Sequence, residues 1–292
     1  MSDSGADGIR ISKLMARRGL CSRREAESWI SEGRVTVNGT VLKRVVSVDP
    51  AVDAIRVDGQ ALPDEPEKAY FLLFKPRGTI TGRNDPQGRK SVLDFVADLG
   101  MRVEPVGRLD YDTEGALLLT NDGDLAHELT HPSRHIPKRY RVKCYREPNA
   151  EKLKLIETGK VFLEDGAIKP AMVRVVETTD TGNAWVEVTV TEGRNRLIRR
   201  IFEQIRHPVA KLRRESFATI SIRNMERGQV RRLTPAEVRR LRDLAEGRKP
   251  EKAGRVKHRK GFAKAKPRGR VQNRKRKEAH KRHVQEKLRQ KT

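Results

Sequence analysis

Two cysteines, Cys21 and Cys144, are all that this 292-residue chain contains. They stand far apart, with neither metal-ligand nor redox spacing, so no disulfide framework, cysteine-based zinc site or thiol redox motif organises it. Inert thiols in a reducing cytosol are the expectation. No apolar run approaches the roughly 18 residues that a membrane helix needs. Residues 1–8 are polar and acidic, which predicts neither a signal nor a transit peptide, and no internal repeat is present. Acids are scarce too: 39 Asp/Glu face 64 Lys/Arg, for a net charge of +25. Hydrophobic residues make up 36% of the chain, enough to build a core, and the length suits one large folded unit with a small one.

The positive charge is unevenly placed. Residues 247–292 hold 20 Lys/Arg and 3 Asp/Glu, about +17, leaving the preceding residues only mildly basic. Gly, Lys, Arg and Pro dominate this tail. Without periodic apolar residues it cannot offset its ordering entropy, so disorder until bound is expected. A polycation calls for a polyanion, and nucleic acid is the usual one. An anionic membrane is the rival partner, and no apolar span supports it.

Before the tail, residues 9–64 read as a compact helix–helix–hairpin unit. Ile9, Leu14 and Met15 give a first helix its apolar face, and Gly19 ends it. Ser22 and Glu25 form a capping box, Ala26, Trp29 and Ile30 face inward, and Gly33 stops the second helix. Asn38-Gly39 between alternating runs is a strong hairpin signal, and residues 55–57 add a strand before Asp58-Gly59. Lys13, Arg17 and Arg18 fall near the first helix end, and Arg23 and Arg24 open the second. Cations at a helix start oppose the dipole. Phosphate contact and a plain solvated face weigh equally from charge alone.

The acidic, proline-containing residues 63–67 read as a linker. Residues 69–246 then mix strands and helices. Strands are expected at residues 70–74, 103–106, 116–119, 140–145, 172–178 and 185–191, and helices at 91–96, around Leu125 and Leu129, and at 197–205. Thr234-Pro235-Ala236-Glu237 is a further capping box, with proline at the first helical position. Strands outnumber helices and many neighbours are close in sequence. An α+β domain on a mainly antiparallel mixed sheet with flanking helices follows.

The most unusual stretch is Gly107-Arg108-Leu109-Asp110-Tyr111-Asp112-Thr113-Glu114-Gly115, a polar loop between two apolar strands. Loops held by rigid strands are common homes for active sites, although a surface turn has the same composition. Paired carboxylates there also suit acid/base hydrolysis or a metal. His127, His131 and His135 have helical spacing, but Pro132 breaks the helix that would align them.

Two resemblances bear on these alternatives. Arg10-Ile11-Ser12-Lys13-Leu14, Gly19, Ser22-Arg23-Arg24-Glu25-Ala26, Ile30, Gly33-Arg34-Val35 and Val37-Asn38-Gly39 resemble the αL RNA-binding domain of the ribosomal-protein S-four type. The second rests on Gly107-Arg108-Leu109-Asp110, Thr113, Gly115, Leu117-Leu118-Leu119 and Thr120-Asn121. Lys75-Pro76-x-Gly78, His131-Pro132, Lys138-Arg139-Tyr140, and Glu192-Gly193-Arg194-Asn195-Arg196-x-Ile198-Arg199-Arg200 accompany it in order. Together these resemble the RsuA-type ribosomal pseudouridine synthases, over residues from about 9 to about 245. Leu197 departs from the family, where Gln is commoner.

The resemblance implies three parts: the RNA-binding domain at 9–64, a pseudouridine synthase domain at 69–246 and the basic tail at 247–292. It implies an isomerase that converts a uridine of ribosomal RNA to pseudouridine and needs no cofactor and no metal. Asp110 is implied as the catalytic carboxylate, by a route that sequence leaves open. Arg199 would pair with and orient it, and Tyr140 would stack on the uracil. Arg108 would enter the RNA helix in place of the flipped base. Arg17, Arg18, Arg23, Arg24, Arg194 and Arg196 would be RNA contacts, and Lys75 and Pro76 architectural. The expected partner is a structured rRNA stem-loop or a ribosomal assembly intermediate, met by a cytoplasmic monomer. Tail and layout look most like the large-subunit (23S) branch. A small-subunit (16S) target and a catalytically silent assembly factor are the alternatives.

Overall fold

The computed structural model describes residues 8–83 and 85–248. The expectation of a disordered tail therefore falls, from Lys249 on, outside the described residues.

In the N-terminal unit, β1 (Ile9–Arg10) leads into α1 (Ile11–Arg17). Arg18 caps α1, and Gly19 follows at φ +79°, the left-handed turn that glycine makes without a Cβ penalty. The Ser22–Glu25 capping box is complete at the head of α2 (Arg23–Ser31). The strands β2 (Val35–Val37) and β3 (Thr40–Val41) turn through Asn38 and Gly39 at φ 52° and 80°. After β4 (Ser47–Val48), which pairs with β1, the strands β5 (Ile55–Val57) and β6 (Gln60–Ala61) form a second hairpin. Asp58 and Gly59 turn it, at φ 50° and 81°. The β2–β5 pairing joins both hairpins over one core of Ile11, Leu14, Met15, Ala26, Ile30 and Val35. Ile9, expected on the helix face, sits in β1; the helix starts at Ile11, which takes the fully buried place.

After the linker, the described residues form a nine-stranded sheet. Its strands are β7 (Tyr70–Lys75), β8 (Glu104–Pro105), β9 (Glu114–Thr120), β10 (Lys138–Cys144), β13 (Met172–Thr178), β14 (Ala184–Val190), β15 (Val209–Phe217), β16 (Ile220–Ser221) and β17 (Val230–Arg232). A hairpin of β11 (Phe162–Leu163) and β12 (Gly166–Ala167) lies apart. The main order is β13-β14-β10-β15-β9-β7-β17. All described pairings in it are antiparallel except β15 with β9, where Arg213 and Arg214 face Glu114 and Gly115. The sheet is thus two antiparallel halves joined along one short parallel seam.

That seam explains one glycine of the loop motif. A Cβ on Gly115 would lie 2.2 Å from the Arg214 carbonyl oxygen, and the residue sits at φ +127°. No other side chain fits.

The sheet's apolar residues alternate between faces, as period-two strands require. Leu72, Phe74, Ala116 and Leu118 pack beneath α3 (Gly123–Thr130) and α6 (Pro235–Ala245). Phe71, Leu73, Leu117 and Leu119 face Val92, Val96 and Leu109 on the other side. The second half is covered by α4 (Ala150–Glu157) and α5 (Leu197–Gln204). Four buried side chains of α5, Leu197, Ile198, Ile201 and Phe202, each contribute about 2 kcal/mol of apolar burial. The helix expected at 91–96 is a 3-10 turn with its own Ser91–Asp94 capping box.

Candidate active site

The Gly107–Glu114 loop is pinned from below by the segment after β7. The Lys75 ammonium is buried and donates to the carbonyls of Pro76 (3.0 Å), Asp110 (3.1 Å) and Thr113 (2.9 Å). Burial pushes its pKa down to about 8, with Asp110 and Asp112 pulling the other way. Thr81 holds Leu109 from both sides, its hydroxyl donating to the carbonyl at 2.8 Å and accepting from the amide at 3.3 Å. The Gly78 amide donates to the Tyr111 carbonyl at 2.8 Å. A buried Leu109 side chain anchors the loop in the core. Lys75, Gly78 and Thr81 therefore fix the backbone on both sides of Asp110, whose side chain is one-third exposed.

Above the parallel seam lies a cavity of about 360 Å³. Arg108, Asp110, Lys138, Tyr140, Arg194, Arg196, Arg214 and Phe217 line it, from the loop, β10, the start of α5 and β15. Of the site residues expected from sequence, it brings together Asp110, Tyr140, Arg108, Arg194 and Arg196. Arg199 is not in its wall.

The expected Arg199–Asp110 pair is replaced by another. Arg199 Nη2 lies 2.7 Å from Asp112, and the cation nearest Asp110 is Arg196, with Nη1 at 3.9 Å. Arg196 occupies the N-cap of α5 at φ 46°, which turns its side chain out ahead of the helix; Arg199, one turn on, meets the far side of the loop. Arg194 is largely consumed within the protein: it bonds Asp165, Gly166, Ala167 and Glu192. Arg108 is exposed at the cavity rim.

The four arginines of the N-terminal unit divide. Arg17 binds Glu65 at 3.0 Å through both carboxylate oxygens, and Arg18 donates to the Pro63 carbonyl. Arg23 and Arg24 are exposed and pair with no acid among the described residues. Arg17, Arg23 and Arg24 line a cleft of about 630 Å³ shared with Arg83 and Arg102. Ion pairs Lys13–Asp124 (2.7 Å) and Arg102–Glu25 (3.4 Å) join this unit to the sheet domain. That cleft is cation-rich, whereas a larger groove of about 800 Å³ beside it is lined by as many acids as Lys and Arg. The cation-rich cleft suits a polyanion, and the smaller cavity over the seam suits a single base.

Several described elements have no counterpart in the sequence expectations, among them β16, β17, the β11–β12 hairpin and two more. One is β15: the charged run Lys211-Leu212-Arg213-Arg214-Glu215, for which no strand is expected from sequence, lies in a central strand. Its Arg214 is 2% exposed on the cavity floor. The buried pattern Leu212, Arg214, Phe217 is the only hint, since a buried arginine carries no compositional mark. The other is the helix α4.

His127, His131 and His135 share no helical face: α3 ends at Thr130, Pro132 opens a short turn, and His135 takes φ 49°. Among the described residues, no group of three His, Cys, Asp or Glu is placed to hold a metal, and no helix is long and apolar enough to cross a membrane. Both cysteines are free and buried, and burial raises each thiol to about 11.

Residues 69–204 match the family of RNA pseudouridylate synthases, and residues 9–45 match the S4 domain. Over 238 residues the chain is 44% identical to the ribosomal large subunit pseudouridine synthase B of Bacillus subtilis (strain 168), covering 81% of this chain and 97% of that protein. It is 38% identical over 248 residues to the protein of the same name from Yersinia pestis, covering 82% and 77% respectively. A crystal structure of a pseudouridylate synthase superposes with a TM-score of 0.57 at 29% identity, over 80% of this chain and 99% of that one.

Proposed function

The chain belongs to the RNA pseudouridylate synthase family, and from that premise we propose that it converts one uridine of large-subunit ribosomal RNA to pseudouridine, with Asp110 as the catalytic carboxylate. The observation that carries this reading is the placement of Asp110. Its backbone is fixed by Lys75 and Thr81, and its carboxylate opens into a base-sized cavity beside Tyr140. Rigid placement of a reacting group beside its substrate is worth several kcal/mol of barrier.

The reaction is an isomerisation. The bond from the sugar C1′ to uracil N1 breaks, the ring turns, and C5 bonds to C1′. No redox partner is consumed, and an ionised carboxylate beside the sugar suffices as nucleophile or base. Tyr140, projecting from β10 into the cavity, is positioned to stack on the ring. Arg199 holds Asp112 and so braces the loop that bears Asp110, while Arg196 supplies the nearest positive charge.

A uridine in a stem must leave the stack, at a cost of a few kcal/mol. Arg108, exposed at the rim, is assigned to fill the gap. Arg23 and Arg24, free of internal acids, are the best-placed phosphate contacts of the N-terminal unit. Arg17 and Arg18 would first have to exchange Glu65 and the Pro63 carbonyl for RNA. The proposal is completed by a cytoplasmic monomer acting on a folded stem-loop or an assembly intermediate. A silent assembly factor would also use the basic cleft, but a carboxylate at the mouth of a base-sized cavity would only repel phosphate. The test is to map pseudouridines in total rRNA from cells with and without the gene. One large-subunit position should lose its modification, and identical maps would overturn the proposal.

A further inference from the structure

Two cations of the cavity have no counter-charge. Arg214 is 2% exposed, which makes it one of the few buried charged side chains among the described residues. Its Nε donates to the Ala116 carbonyl at 2.7 Å, and its buried Nη2 has no partner. Lys138 donates to the Ile136 carbonyl at 2.9 Å. Both sit over the same ring, Phe217, at 5.7 Å for Lys138 and 5.1 Å for Arg214. The carboxylates of this cavity are engaged elsewhere: Asp110 faces Arg196, and Glu192 pairs with Arg194. Among the described residues neither cation forms an ion pair. Burial and the nearby Arg214 charge push the Lys138 ammonium down to about 8, and no acid opposes them.

A buried charge without a partner costs several kcal/mol. Arg214 is such a charge, and the half-buried Lys138 beside it on the cavity floor repels it, an arrangement that folding alone does not favour. Such groups are expected where a ligand or a transition state supplies the missing charge.

The surroundings say which charge. Arg214 is the cross-strand partner of Tyr140, and Lys138 that of Phe217. The floor between them is completed by Leu212, Val190 and Ile198. An apolar, aromatic floor suits a flat heterocycle and poorly suits a hydrated phosphate, whereas the exposed arginines at the rim suit phosphate. We propose that Lys138 and Arg214 form a cationic floor that binds the uracil ring as an anion while its bond to the sugar is broken. This rests on the synthase reading above.

The step balances. As C1′–N1 breaks, its electron pair stays with the ring and spreads onto the two ring carbonyl oxygens. The electron-poor C1′ is met by Asp110, through a bond to its oxygen or through loss of the C2′ proton. After rotation C5 bonds to C1′, and the carboxylate leaves or C2′ regains its proton. The hydrogen on C5 then departs to a base, and N1 takes a proton. The floor is needed only between the breaking of one bond and the forming of the next.

The test compares target RNAs carrying uridine or 5-fluorouridine, under single turnover at saturating RNA, by nucleoside digestion and mass spectrometry. Fluorine withdraws electrons and already stabilises the ring anion. Lys138→Met and Arg214→Met should each slow loss of uridine about 10²-fold, and loss of 5-fluorouridine less than about 10-fold. RNA affinity should stay unchanged. Arg214→Lys, which keeps the charge, should recover part of the rate and guards against a folding defect in Arg214→Met. Equal slowing on both RNAs would overturn the proposal. So would weaker RNA binding at an unchanged rate, which would assign the pair to phosphate. A wild-type protein inert on every RNA would instead overturn the synthase reading.

Discussion

Replacing Lys75 by methionine keeps the length and most of the volume of the side chain and removes its charge. Two effects of opposite sign follow. The buried ammonium is held at a pKa of about 8 against an ordinary 10.5, so burying its charge costs about 3 kcal/mol, which the variant recovers. Against this, three carbonyls lose their donor. Those of Pro76 and Thr113 are left without a partner, at about 2 kcal/mol each. The Asp110 carbonyl keeps the Thr113 amide at 3.0 Å and loses about 1 kcal/mol. The balance is a net destabilisation of about 2 kcal/mol near neutral pH. The gap should widen at alkaline pH. The folded pKa lies below the unfolded one, so the unfolded chain binds more protons between about 8 and 10.5. The Lys75 contribution to stability therefore rises through that window, and the variant lacks the rise. Urea unfolding of both proteins at pH 7.5 and 9.5 measures the difference directly. Turnover should fall further than stability, because the freed carbonyls are those that fix Asp110. A variant as stable as wild type at both pH values, with full turnover, would refute this account of the loop.

Gly115→Ala should destabilise the protein by more than 3 kcal/mol or prevent folding, since its Cβ meets backbone at 2.2 Å; a thermal melt within a few degrees of wild type would contradict the tight seam. Arg108→Ala should slow modification of a structured stem-loop more than that of a short single-stranded RNA, because the flipping penalty belongs to the paired substrate. Equal losses on both would limit Arg108 to shaping the loop. A chain ended at Glu246 loses about +17 of charge and should bind RNA more weakly. Its salt dependence should be flatter, by about 0.9 in log–log slope for each duplex phosphate that the tail no longer neutralises. It should still modify the same uridine, and a changed target would show that the tail carries recognition.

Much of this molecule was legible because its signals are local. The Ser22–Glu25 and Thr234–Glu237 capping boxes, the Asn38-Gly39 hairpin and the apolar strand Tyr70–Lys75 need only a few neighbouring residues to be read. The α+β class followed from their succession. What escaped depends on distant chain. β15 is central because its neighbours are β10 and β9, which no window over its charged run reveals. The partner of Arg199 is set by where α5 starts and how Arg196 turns at its cap, so the family resemblance pointed to Asp110 where the fold supplies Asp112. The role of Lys75 in holding the carbonyls of residues 35 and 38 positions away is likewise a tertiary fact.

The central claim is that Asp110 performs the isomerisation, and Asp110→Asn tests it most directly. This substitution keeps the shape of the side chain and removes one negative charge from a basic cavity, so RNA affinity should stay within a few-fold of wild type. Purified wild-type and variant proteins would be incubated with unmodified large-subunit rRNA, and pseudouridine read at single-nucleotide resolution. Wild type should modify one uridine to completion, and the variant should form none while still binding the RNA. Measurable turnover by the Asp110→Asn protein, at any rate that continues past one equivalent, would contradict the account.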